Sequence, residues 1–584
     1  LYSFRKNSPA TDRALGSIGS GGTHFAWGVR FKNNSNQPLQ SVTVSYYLEQ
    51  WRRSSSANEQ PMRFSYLVAD TAITQLTANE NGYAKVPFLN GISPVNTPGS
   101  SSSLVGDNPP NRVFIRHNFR ISVLPGQEIM LKWFDEDDSK IDHGLAIDAL
   151  EVQFSVDDLS YDACSGNLSF EHFAKSIILD IPDEDAPVNY IVPTASQQST
   201  WQTAMNQFQS GQYAAANTTL NTNGLDYRLS TFLSGTDTFY VVSKDGNGGN
   251  YWGTYVFNPA ATRICLALQA PHPLHDGMTG EQAAYLFKEL DAYALMIAGA
   301  HRCLSHDPSG CAGNSTVCLP NGNYTISDMA HTMESVFEVT TEVVATHDPG
   351  SRFIQLHGFS KDANDPYFVI SNGTRQTPQE DFVVEVGDFL TNVPVNNISP
   401  APPGPFTYEA PHLNHNYNQL IGTTNIQGRF LNNYNQGDIC SGSAVSTSVT
   451  SRFLHIEQYA DMRKVPANYP IMRDALLASG ITDCTVDPRN AENAHTFGKQ
   501  NETNLLQVRY STNSESAVHA YIETTAPKVS LMVHNMMGQL VYDHSLEVPQ
   551  SAEVRIETDK LPKGAYVLTA SFGQEQKSVR FIIW

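Results

Sequence analysis

Long apolar runs are missing from this chain of 584 residues. None approaches the roughly 20 residues a helix needs to cross a bilayer, so no transmembrane segment is expected. Charge is scarce too, at 16% of residues, and it leans one way: 58 acidic against 37 basic side chains give a net charge of -21. Phosphate backbones and anionic lipids require a basic face, so this balance argues against a nucleic-acid partner and against adsorption to acidic membranes. Cysteine is sparse, with 7 residues and no C-x-x-C pair, which argues against a structural zinc knuckle. No G-x-S-x-G elbow occurs either; the nearest stretches, Gly19–Gly22 and Cys440–Ala444, lack the strand-turn-helix setting of a serine hydrolase. A secretory leader is not visible at Leu1, which fits a processed N-terminus or a cytoplasmic protein.

What is there is polar and uncharged. Asn, Ser, Thr, Gly and Tyr are plentiful, as in many strand-rich exported proteins. Cys303, Cys311 and Cys318 crowd one polar loop, and a disulfide pinning that loop suits an oxidising exterior. The odd cysteine total leaves at least one thiol unpaired, and the pairing is not legible in the spacing. The length exceeds what one hydrophobic core can organise and predicts several domains.

Three regions differ in pattern. Up to about residue 155, apolar and polar residues alternate in Thr23–Phe31, Ser41–Leu48 and Arg112–Val123, with turn-rich linkers between such runs. Short strands of this kind predict an N-terminal antiparallel β-sandwich, jelly-roll-like, over residues 1–155. Near its end Asp135, Asp137 and Ser139 alternate as Ca2+-loop ligands do, without the glycine and closing glutamate of an EF-hand; a solvated hairpin tip is the competing reading. Residues 508–584 are again strand-like, with a turn at Met537–Gln539, and predict a small C-terminal β-sandwich. Between 165 and 500, apolar β-type runs alternate with helical periodicity, which predicts a central α/β domain with a mixed sheet.

The central region carries the chemistry. Arg263–Ala270 reads as a buried strand. Thr279 and Gln282 form a capping-box pattern that opens a helix, with apolar positions at Leu286, Phe287, Leu290, Tyr293, Ala294 and Ile297. The loop Pro271–Met278 between them lies at a strand end, the edge where open α/β sheets bind ligands. Within it His272 offers an imidazole and Asp276 a carboxylate, a chelating pair suited to Zn2+. His357, closing the apolar strand Arg352–Phe359, supplies a third ligand. Glu457, beside His455 on a late strand, is the candidate general base, and Arg302 and Arg463 are candidates to hold a substrate carboxylate or a developing oxyanion. Each residue also has a plainer reading. A histidine at a strand end often only hydrogen-bonds, His275 can stand in for His272, Glu457 can support the site from behind or sit in a salt bridge, and Arg302 can be a surface or structural arginine. Asp328 and His331, after Ser327, share a helical face and read either as a capped helix start or as support for the site. Residues 365–440, rich in Asn, Pro and Gly, are expected to form long substrate-facing loops.

Three resemblances add to this. The pieces Ser45–Arg52, Arg63–Tyr66 and the W-x-D-x-D…G-L-A-I-D ending resemble a β-sandwich module that accompanies secreted bacterial hydrolases, which implies an accessory domain without chemistry. N-M-M-G-Q-L-V (Asn535–Val541) and L-P-K-G-A-Y-V-L (Leu561–Leu568) resemble the C-terminal sorting domain of type IX secretion substrates. That implies contact with secretion machinery and a secreted or cell-surface protein; the F-I-I-W terminus departs from the usual lysine ending. The order of histidine and acid, later histidine and late glutamate is similar to zinc carboxypeptidases. More closely, it resembles the N-formylglutamate amidohydrolase and poly-γ-glutamate hydrolase branch of that fold, with Asp276, Thr279 and Glu281 falling on that branch's acid, threonine and glutamate. The histidine spacing is one residue shorter and the acid is Asp. This resemblance implies a zinc-dependent hydrolase of peptide-like or acidic amides. The competing function is a surface-displayed adhesin or assembly subunit whose α/β domain is a silent scaffold; the sequence is also compatible with a homo-oligomer.

Overall fold

Period-2 patterning folds the N-terminal stretch into two antiparallel sheets in this computed structural model. In one, Leu39–Arg53 pairs with Arg112–Val123 on one side and Gly144–Ser155 on the other; in the second, Glu128–Asp135 lies between Phe25–Lys32 and Pro61–Ala69. Buried residues of both, among them Tyr46, Leu48, Phe64, Leu131 and Trp133, belong to one core. That core does not stop at residue 155. The helix Phe170–Ile178 carries it onward, with Phe173 centred 5.2 Å from Phe88 and 4.3 Å from Phe232, and Phe170 5.1 Å from Phe287. Residues on both sides of the expected boundary therefore fall in one unit, Leu1–Asp487, while Pro488–Trp584 forms another.

The structure describes residues 1–6, 12–19, 21–55, 58–77, 79, 82–137, 141–158, 164–165, 169–235, 237–245, 250–313, 315–320, 322–442, 445–446 and 448–484. In the second unit it describes 504–510, 517–524, 528–535, 540–547, 551–557, 561, 564–572 and 575–583. The second unit has a three-stranded and a four-stranded sheet, with Ile522, Val529, Leu531, Val533, Ile556 and Leu568 among its buried residues. The turn expected at Met537–Gln539 lies outside the described residues, as does Ser139.

The central layer is a ten-stranded mixed sheet. Its strands include β1 (Tyr227–Ser234), β2 (Asp237–Lys244), β3 (Thr254–Phe257), β4 (Arg263–Ala270), β5 (Ala292–Ile297), β6 (Arg352–Gly358), β7 (Phe368–Ser371) and β8 (Phe453–Gln458), in the spatial order β1-β2-β3-β5-β4-β6-β8-β7. The middle four, β5-β4-β6-β8, are parallel. The chain leaves β4 through helix α1 (Thr279–Glu289) to β5 on one flank and later returns to β6 on the other. Strand order thus reverses at β4, the kind of switch point beside which open α/β sheets bind ligands.

Alternation sorts the two faces. Leu266, Leu268, Ile354, Leu356, Leu454 and Ile456 pack into the core shared with the N-terminal sheets. Ala267, Phe353 and Phe453 face the other core, with helix α2 (Val336–His347) and the helix Ala195–Gln209. On that second face the strands also bury Gln269, Gln355, His357, His455 and Glu457.

Three expectations are corrected. The helical spacing read through Ile297 breaks at Asp291, whose φ of 46° ends the helix, and Ala292–Ile297 is β5. A wholly apolar hexapeptide satisfies both periods, so periodicity alone does not distinguish them. Residues 327–331 form turns and not a helix. The segment 365–440 is not loop throughout, since it contains β7, the helix Phe382–Thr391 and helix α3 (Ile426–Leu431).

Helix α2 holds an unusual carboxyl. Ser335 caps it by accepting from the Glu338 N–H, but the Glu338 side chain turns inward; one oxygen accepts from Gln427 Nε2 at 2.8 Å and Oε1 has no partner. Burial, then the nearby Glu342, pushes its pKa from 4.5 up to about 8. Between those values the folded protein holds a proton that the unfolded chain has lost, so this group's contribution falls as pH rises through that window. The isosteric Glu338→Gln cannot ionise. It is expected to melt several degrees above the parent at pH 8 and to match it near pH 4; parallel melting curves at both pH values would show that Glu338 ionises freely in the fold.

Candidate metal centre

The loop after β4 is tightly curled. The carbonyl of His272 accepts from the Asp276 N–H at 3.0 Å and from Thr279 Oγ1 at 3.3 Å, and Gly277 and Met278 take left-handed φ of 48° and 61° before α1 begins. This turn carries the side chains of His272 and Asp276 to one side. Thr279 is the first residue of α1 with Met278 at the cap, so the expected capping box does not form. Thr279 closes the loop instead, and Gln282 reaches Gln458 at 3.0 Å.

β6 brings His357 to the same point. His272 Nδ1, Asp276 Oδ2 and His357 Nδ1 are each 3.2 Å from the other two. A tetrahedron of that edge has its centre about 2.0 Å from every corner, the length of a Zn–N or Zn–O bond. The imidazole tautomers agree with this. Nε2 of His272 lies 2.7 Å from Asp328 Oδ1, and Nε2 of His357 lies 2.7 Å from Gln355 Oε1. An acceptor opposite each Nε2 places the proton there and leaves both Nδ1 lone pairs aimed at the carboxylate. Three such atoms converging in a buried space could hold a cation, and the donor set suits Zn2+.

The surrounding charges are arranged in tiers. Burial opposes ionisation of Asp328, but Arg302 and then His272 hold its pKa well below the usual carboxylate range, and Arg302 Nη2 bonds Asp328 Oδ2 directly. Burial likewise works against Asp276, and His272 and His357 outweigh it, keeping that carboxyl ionised. For His272, burial and Arg302 resist a charge, while Asp328 and Asp276 overcome them and raise its pKa. Burial lowers that of His357. Arg302 Nη1 stands 3.4 Å from His272 Nδ1, and its Nε has no partner. The Arg302 carbonyl is tied by Thr325 Oγ1 and, at 2.8 Å, by Ser327 Oγ; the disulfides Cys303–Cys318 and Cys311–Cys440 staple the same loop.

Glu457 stands beside His357 in register on β8. Its Oε2 is buried without a partner, and burial followed by Asp276 pushes its pKa up to about 8. The ring of His455 lies 4.4 Å from His357 with Nδ1 likewise unpartnered, and His357, His455 and Glu457 make a second group of potential ligands. Arg463 is placed differently from Arg302. Its guanidinium donates to the carbonyls of Gly277 at 2.9 Å and Phe359 at 3.3 Å, bracing the two ligand loops. Gly358 makes room for it, since a Cβ there would lie 1.9 Å from Arg463 Nε.

His275 does not substitute for His272. It pairs with His301 at 3.3 Å, and His301 Nδ1 accepts from the Cys303 N–H at 3.1 Å, so the His301 proton sits on Nε2 and faces His275. Cys303, the third member of that group, is in a disulfide. In the N-terminal region Asp135 accepts from Ser17 Oγ and Asp137 from the Gly22 N–H at 2.7 Å; no three-ligand group forms around them among the described residues. Gln355 is a functional residue that sequence reading passed over. Its signal was an amide in an apolar strand, two residues before His357 and hence on the same face.

Comparison with known proteins bears on the termini more than on this site. The family of secretion system C-terminal sorting domains matches residues 516–584. No curated protein matches the chain. Among solved structures, the endo-beta-1,4-mannanase from Thermotoga petrophila is 8% identical, covers 70% of each chain and has a TM-score of 0.11. The dimeric latent PorU from Porphyromonas gingivalis is 9% identical, covers 96% of this chain and 62% of its own, with a TM-score of 0.13. Scores so low carry no argument about the fold. None of these matches supports the zinc-carboxypeptidase resemblance of the central region. The C-terminal match does establish a type IX sorting domain, so the protein is exported to the cell surface or beyond and engages secretion machinery. No described helix is long and apolar enough to cross a membrane. Deleting residues 516–584 is expected to abolish surface and medium fractions of the protein in immunoblots of fractionated cells, with the remainder held inside.

Proposed function

We propose that this chain is an exported, zinc-dependent hydrolase of peptide-like amides, in which residues 1–155 form a jelly-roll-like accessory β-sandwich, 165–500 the catalytic α/β domain and 508–584 a sorting β-sandwich. The observation that carries it is the triangle of His272 Nδ1, Asp276 Oδ2 and His357 Nδ1, 3.2 Å on each side. These three residues would hold the ion. Zn2+ bound there supplies Lewis acidity and brings the pKa of water toward neutrality.

The remaining work falls to the protein. Glu457, whose pKa is pushed up to about 8 by burial and Asp276, accepts a proton from the attacking water and returns it to the departing amine. Arg302, with an unpartnered Nε beside the cluster, offsets charge on the carbonyl oxygen as it becomes tetrahedral. Arg463 positions the loops. An acidic amide or wall peptide as substrate follows from the Pro271–Glu281 resemblance, and a nearby guanidinium suits such a carboxylate.

Elemental analysis of the untreated protein is expected to give roughly one zinc per chain, with His357→Ala losing it. Glu457→Gln is expected to keep the metal and lose about 10²–10⁴-fold in kcat/KM on an amide panel. A parent protein free of metal and inert on the panel would favour the silent-scaffold alternative.

A further inference from the structure

His357 can ligate through Nδ1 in one tautomer only, and the buried amides behind it select that tautomer. Its Nε2 faces Gln355 Oε1 at 2.7 Å. The same oxygen accepts from Asn425 Nδ2 at 2.5 Å. Asn425 cannot turn over, because its Oδ1 caps α3 by accepting from the Gly428 N–H at 2.8 Å. On its other side Gln355 Nε2 donates to Gln269 Oε1 at 3.0 Å and Gln427 Oε1 at 3.1 Å. Those amides are anchored in turn. Gln269 Nε2 donates to Thr341 Oγ1 at 2.8 Å, a hydroxyl whose own proton goes to the Phe337 carbonyl at 3.0 Å. Gln427 Nε2 donates to Glu338 Oε2 at 2.8 Å and to the Met329 carbonyl at 3.0 Å. Gln269, Gln355, Gln427 and Asn425 are all buried. Reversing any one amide sets donor against donor or acceptor against acceptor in a buried setting, where an unmade hydrogen bond is costly.

We infer that Gln355, locked by Asn425, Gln269 and Gln427, is a positioning residue that holds the His357 proton on Nε2 and keeps the Nδ1 lone pair turned toward His272 and Asp276. The inference rests on the metal-centre reading for its purpose but not for its geometry. A ligand imidazole held in this way needs no tautomeric change when a cation arrives, so the cost of ordering it is met in folding.

The test uses the full chain, labelled with 15N-histidine and stripped of metal. Long-range 1H–15N spectra report the tautomer, with His357→Gln identifying the signal, and the parent is expected to show the Nε2–H form. Asn425→Asp keeps the oxygen that caps α3 but removes the donor to Gln355. Its new carboxylate attracts the Gln355 NH2, turning that amide and driving the His357 proton to Nδ1. Zinc affinity, read by competition with a chromogenic chelator at a temperature where the metal-free variant is folded, should then fall roughly 10- to 100-fold. Gln355→Leu should lose the tautomer bias and weaken zinc to a similar degree, which covers failure of the first variant to fold. An Nδ1–H tautomer in the parent overturns the inference. So does an Asn425→Asp protein that folds with parental tautomer and parental affinity. An Nε2–H parent that shifts in Asn425→Asp but binds no zinc would support the positioning role while removing the hydrolase reading.

Discussion

Two imidazole Nδ1 atoms and a carboxylate oxygen held 3.2 Å apart in a dry interior need a proton or a positive charge among them. Much of the central layer is arranged to make that contact and hold it. The curl at Gly277 and Met278 presents His272 and Asp276 together, the strand reversal at β4 sets β6 beside them, and Arg463 ties both loops from below. Each ligand has its own backing: Asp328 behind His272, Gln355 behind His357, and the Gly358 N–H, at 3.2 Å, on Asp276.

The environment separates carboxylates of like chemistry into different roles. Asp276 follows β4 and Glu457 lies on β8, with β6 between them, yet Asp276 stays ionised between two imidazoles while burial and the charge of Asp276 itself push Glu457 up to about 8. A permanently ionised ligand and a proton carrier poised near neutrality are what metal-assisted amide hydrolysis asks of two acids. Glu338 shows the same displacement for another end. Its pKa is also near 8, but it is three hydrogen bonds from the cluster and anchors an amide chain.

Much of this was legible in the sequence. His272, Asp276, His357 and Glu457 could be named because each follows an apolar run, and parallel strands deliver such residues to one edge. The sorting domain was legible because its turn-and-strand motifs are local. What stayed hidden depends on contacts between distant segments. Gln355 and Asn425 lie 70 residues apart and meet only when α3 covers β6. Arg302 and Arg463 looked interchangeable as strings, but Gly358 leaves space for one of them to fill. Ala292–Ile297 looked helical because six apolar residues carry no period of their own, and Asp291 decided the matter through one left-handed residue.

Cysteine oxidation links this site to the export route. A free thiolate is a better zinc ligand than a carboxylate, so Cys303 beside His301 would compete with Asp276 for the ion in a reducing compartment. Locked to Cys318 it cannot. The same disulfide, with Cys311–Cys440, fixes the loop that carries Arg302 and Asp328, and Asp328 in turn fixes the proton of His272. The backing of one proposed ligand therefore matures under the oxidising conditions beyond the cytoplasm, where the sorting domain directs the chain. The backing of the other, Gln355 on His357, runs through Asn425 and Gln427 at the start of α3, where Ile426 packs against Cys311. Both halves of the site thus lean on the disulfide-stapled loop, one through Asp328 and the other through α3.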